Sequence, residues 1–113
     1  MKESTQTERI HSVLEAFEDI SVKMETIEVF YNYLTEKMNM PCDVVSVGEY
    51  ERYQLFGLEN SNDELFGLLG KVKLLSDEKK ESVIPLCDLK AVDNRSESFN
   101  LLGDYATWFV NHQ

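Results

Sequence analysis

Oxygen donors dominate the short segments where side-chain chemistry could gather. The run Glu59-Asn60-Ser61-Asn62-Asp63-Glu64 carries carboxylate, amide and hydroxyl oxygens on consecutive residues. Asp93-Asn94-Arg95-Ser96-Glu97 is the next richest stretch, with Asp104 further along. A hard cation such as calcium takes roughly six to eight oxygens from carboxylates, amide carbonyls, backbone carbonyls and water. Neither stretch is an EF-hand. Counted from Asp93, the third position is Arg95, a cation where an oxygen belongs, and the sixth is Ser98 where the loop needs glycine. Counted from Glu59, the sixth is Glu64. The plain alternative for the first stretch is a solvated turn, and for the second a capped helix start.

Other chemistries find little to work with. His11 and His112 stand near opposite ends of the chain, and neither belongs to a metal-ligand pair. Cys42 and Cys87 are far apart, with no CxxC, so they read as reduced, buried thiols. Zinc would want four thiolate or imidazole ligands in tight spacing. No nucleophile elbow, phosphate-binding loop or dinucleotide fingerprint is present. The residues predict binding rather than catalysis.

Charge narrows the partners. Asp and Glu number 21 against 11 Lys and Arg, a net charge of -10 over 113 residues. Such a field repels phosphate backbones and anionic membranes, and it attracts cations and basic protein surfaces. An acidic interaction module without metal is therefore the second reading, with Tyr50, Tyr53, Phe56 and Trp108 as anchors. Core packing is the competing role for those aromatics. The N-terminus is polar with no apolar leader, and no run approaches the ~20 apolar residues that span a bilayer. A cytoplasmic address is expected.

The elements that must position these residues follow from periodicity. Hydrophobic residues make up 42% of the chain, enough for a core in one domain, 1–113, without a disulfide or metal. Ile10, Val13, Leu14, Phe17 and Ile20 recur at helical spacing, and Met24, Ile27, Tyr31, Leu34 and Met38 form a second series. Residues 8–39 are thus one bent helix or a helical hairpin, with two helices favoured by a phase slip near Ser21 to Lys23. Pro41 ends the run. Residues 42–90 read as four or five short strands: Val44 to Val47, Tyr53 to Leu58, Leu65 to Leu75 bent at Gly67 or Gly70, and Ser82 to Leu86. Glu59 to Asp63 and Asp77 to Lys80 read as turns. Strands at this spacing predict a small curled antiparallel sheet or barrel. Residues 96–111 close the chain as a helix with Leu102, Tyr105, Ala106 and Phe109 on one face. The fold class is α+β.

Three segments in this order resemble the small bacterial calcium-binding proteins of the CcbP type. They are the aromatic helix end Phe30-Tyr31-Asn32-Tyr33 running into Pro41, the strand Ser82-Val83-Ile84-Pro85-Leu86-Cys87-Asp88-Leu89, and Asp104-Tyr105-Ala106-Thr107-Trp108 in the last helix. The resemblance runs from about Arg9 to the C-terminus. It implies an SH3-like barrel flanked by helices, with calcium held by surface carboxylates. Glu36, Glu64 and Asp104 fall on the family's acidic positions. Asn60, Ser61 and Asn62 replace part of its acidic loop, and each lost carboxylate weakens a calcium site. With Glu59 and Asp63 from the oxygen-rich turn, the expected ligand set is Glu36, Glu59, Asp63, Glu64 and Asp104. The expected affinity is no tighter than micromolar.

Overall fold

The computed structural model describes residues 5–113. The first four residues of the polar N-terminal stretch lie outside the described residues. Helix α1 spans Gln6–Val13, capped by Thr5, whose hydroxyl accepts the Glu8 N–H at 3.1 Å. It stops earlier than the apolar spacing predicts. Phe17 and Ile20 lie beyond it, in a connection that still packs on the core. There Asp19 accepts the Ser21 N–H at 2.9 Å, a local bond that competes with helix continuation. Helix α2, Met24–Lys37, starts at the expected phase slip, where Thr26 accepts the Lys23 N–H at 2.9 Å and donates to the Ser21 carbonyl at 2.8 Å. Met38 turns extended, three residues before Pro41.

Five antiparallel strands follow: β1 (Cys42–Ser46), β2 (Arg52–Asn60), β3 (Leu68–Leu74), β4 (Asp77–Pro85) and β5 (Leu89–Ala91), in the order β4-β3-β2-β1-β5. A single 3-10 turn, Leu86–Asp88, links the last two. The sheet is not closed into a barrel: β4 and β5 are its two edges and do not pair. The sheet nevertheless curls. A bulge shifts the β2–β3 register between Leu55 and Gly57, which bends β2. A Cβ on Gly70 would lie 2.8 Å from Leu89 Cδ1 and 2.9 Å from Leu55 Cδ1. Side chains of the far edge strand therefore reach β3, and the missing side chain of Gly70 leaves them room.

Two boundaries differ from expectation. Residues 65–67 belong to the preceding turn, with Gly67 at φ 63, so β3 begins at Leu68. Asp77 to Lys80, which reads as a turn, is the first half of β4, joined to β3 through residues 75 and 76 alone. This edge strand is exposed along 77–83. Charges that would break a central strand are tolerated there and shield the edge from further pairing.

Helix α3, Glu97–Asn111, lies against the sheet and both other helices. Ser96 caps it, accepting the Phe99 N–H at 3.2 Å. Its buried face supplies Leu101, Leu102, Tyr105, Trp108 and Phe109. Trp108 stacks on Phe30 of α2 with ring centroids 4.7 Å apart, and its indole N–H donates to the Ile20 carbonyl at 2.6 Å. The Tyr105 hydroxyl accepts the Leu68 N–H at 2.8 Å, tying α3 to the start of β3. Core packing is therefore the role of Trp108.

Candidate functional site

Of the five expected ligands, three share one turn. Glu59 is exposed near the end of β2, and Asp63 and Glu64 are exposed in the β2–β3 connection. Much of that turn's oxygen is spent on its own backbone. Asn60 Oδ1 accepts the Asn62 N–H at 2.9 Å, and Asp63 Oδ1 accepts the Leu65 N–H at 2.7 Å. The Ser61 hydroxyl donates to the Gly67 carbonyl at 2.7 Å, and the Asp63 carbonyl accepts the Gly67 N–H at 2.8 Å. Asn62 sits at φ 59, a conformation that asparagine tolerates better than most residues. The amide-rich composition that suggested a ligand loop is thus also what folds the turn.

The other two lie elsewhere. Glu36 is exposed in the last turn of α2, beside Lys37. Asp104 is buried, 4% exposed, on α3. Both of its oxygens receive the Arg9 guanidinium, Oδ2 from Nε at 2.7 Å and Oδ1 from Nη2 at 3.0 Å. That bidentate pairing joins α1 to α3 and holds the Arg9 pKa above its usual value, chiefly through the side-chain hydrogen bond. A carboxylate so paired does not fit a calcium ligand.

The donor chemistry suits a hard cation, but the arrangement is not a cage. Among the described residues, no three His, Cys, Asp or Glu side chains are grouped as a metal-holding set. Apart from Asp104, every described Asp and Glu is exposed. The expected convergence of remote carboxylates is not met among these residues.

Folding does assemble one acid-lined depression that spacing along the chain did not reveal. A cleft of about 430 Å³ is lined by Asn39, Asp43, Asp93, Ser96 and Glu97, among others. The sequence signalled Asp93 to Glu97, and β1 adds Asp43 through the bond from Val92 N–H to the Asp43 carbonyl at 3.1 Å. Asp93 Oδ1 already accepts the Arg95 N–H at 3.0 Å. The positive end of the α3 dipole also opens here, which opposes a cation. Cys42 lines this cleft too, and burial pushes its thiol pKa up, as it does for Cys87. Both are free, half-buried thiols rather than activated nucleophiles. His11 is exposed on α1, and His112 uses its backbone carbonyl to accept the Val22 N–H at 2.9 Å.

No family model and no curated protein matches the sequence. Among solved structures, the chain is similar to one described as "The crystal structure of Anabaena CcbP", with a TM-score of 0.69 and 17% sequence identity. The similarity covers 96% of this chain and 91% of that one. At this identity the shared property is the fold: an α+β chain of three helices and a five-stranded antiparallel sheet.

Proposed function

We propose that this chain binds calcium weakly through carboxylates spread over its exterior, as a buffer or sensor, and catalyses no reaction. The observation that carries this reading is the exposure of every described Asp and Glu except Asp104, on a chain of net charge -10. The whole-chain likeness to the CcbP structure supports it, because that is the type the sequence resembles. We read the curled sheet, with its 3-10 turn before β5, as the SH3-like barrel of that type. Glu59, Asp63 and Glu64 on their shared turn, and Glu36 on α2, are the proposed contacts, while Asp104 stays with Arg9. Without a preformed cage, affinity falls in the weak range of about 10⁻⁴ to 10⁻³ M. Interaction with exposed charges is screened by salt. In ¹H–¹⁵N spectra, millimolar calcium should move the amides of residues 59–66 and the end of α2, with magnesium moving them less. Raising potassium chloride to molar strength should abolish the shifts. Unchanged spectra at millimolar calcium and low salt would overturn the proposal.

One observation favours the interaction-module reading. Leu65 is 71% and Phe66 51% exposed, beside Asp63 and Glu64, on a turn whose backbone is fixed by the bonds above. Preorganised apolar anchors flanked by acids suit a basic partner. A basic peptide with one large apolar side chain should then bind the wild type and not Leu65→Ser/Phe66→Ser, with calcium shifts retained in both.

A further inference from the structure

The outer face of β2, β1 and β5 carries a groove of about 480 Å³ lined by Val45, Val47, Tyr50, Arg52, Lys90 and Val92, together with Ala91. Its floor follows from register. Val45 pairs with Arg52 on one side and Lys90 on the other, so the three side chains form one row across three strands. No carboxylate lines this groove, although the chain has almost twice as many acids as bases. Among the described residues Arg52 takes part in no ion pair, and Lys90 lies 5.4 Å over the Phe99 ring without one. Asp43, two positions from Val45 on the same strand, lines the adjoining cleft instead. Burial, and after it Glu49 and Glu51, raise the Tyr53 pKa. Neither acid is among the residues that line the groove.

Tyr50 closes one end. It is 80% exposed at φ 58, a conformation costly for an aromatic residue. The backbone imposes it: the Tyr50 N–H donates to the Ser46 carbonyl at 2.8 Å, and the Ser46 N–H and hydroxyl bind Glu51 at 2.9 and 3.1 Å. An asparagine or glycine would serve this turn at lower cost, and the exposed ring returns little packing in exchange.

We propose that this groove binds an extended acidic peptide segment carrying a large apolar side chain, with a carboxylate held between Arg52 and Lys90 and the apolar group against Val47, Tyr50 and Val92. Repulsion from acids more than about 8 Å away is screened by salt. Arg52 and Lys90, the two cations lining the groove, therefore decide where it lands.

The probe is a capped hexapeptide alternating glutamate and phenylalanine, titrated into the ¹⁵N-labelled full chain at physiological salt. Shifts should be confined to residues 45–53 and 89–92. Arg52→Glu/Lys90→Glu should weaken binding by at least about tenfold, roughly 1.4 kcal/mol. Tyr50→Asn should weaken binding while melting no lower than the wild type, which separates loss of a contact from loss of fold. Equal binding of a hexapeptide with lysine for glutamate would overturn the proposal, as would shifts centred elsewhere. Concentration-dependent shifts at the groove without peptide would assign it to a second copy of the chain and reject the peptide occupant.

Discussion

Asp104 shows what spacing along a chain can and cannot say about a residue. Its position on the last helix was legible, but its partner, Arg9, is 95 positions away and only the packed helices bring them together. The pairing is structural. Asp104→Ala should cost about 2 kcal/mol, measured by urea denaturation, because it leaves a partly buried guanidinium without its acceptors. Calcium shifts at residues 59–66 should survive that substitution. Gly67 makes a second test. A Cβ there would run into both Phe109 Cε1 and the Tyr105 hydroxyl, at φ 63. Gly67→Ala should lower stability by about 2 kcal/mol or more, from clash and backbone strain together. Glycine was legible as a bend in this segment; the aromatic ring beneath it was not.

Elements were legible where the period was long and the ends were marked. Helix α3 spans Glu97–Asn111, close to the expected 96–111, because Ser96 caps a clear apolar stripe. Ser96→Ala should cost about 1 kcal/mol by thermal melting, the usual value of such a cap. Helix α1 is shorter than its apolar spacing predicts, since Phe17 and Ile20 keep helical spacing while packing on the core from a non-helical connection. The start of β4 does not show in the sequence, since charged residues on a doubly exposed edge carry the composition of a turn. The cleft at Asp43, Asp93 and Glu97 was hidden for a different reason. It depends on β1 lying beside β5, a pairing between segments more than forty positions apart that local patterns do not encode.

For the whole molecule, acidity resides almost entirely outside and titratable neutral groups sit inside. Burial raises the pKa of Tyr105 well above its ordinary value, despite the Leu68 N–H, and raises Cys42 and Cys87 from 9.0. Each is therefore favoured in its neutral, protonated form by folding. Their contribution is fully present below the unfolded-state values and is lost as pH rises through the folded ones. Stability should stay level through neutrality, begin to decline near pH 9.0 as unfolded thiols ionise, and fall faster above about 10 as unfolded tyrosine does. Urea midpoints across pH 7 to 11 would check this, and a flat profile would contradict it. The single tryptophan has a consequence for watching the protein at work. Trp108 is sealed between Phe30 and α3's own aromatics, so its emission reports the interior and nothing that happens at the skin. A passive ion reservoir should leave that fluorescence untouched as calcium is added, whereas a signalling device that rearranges its helices should quench or redden it.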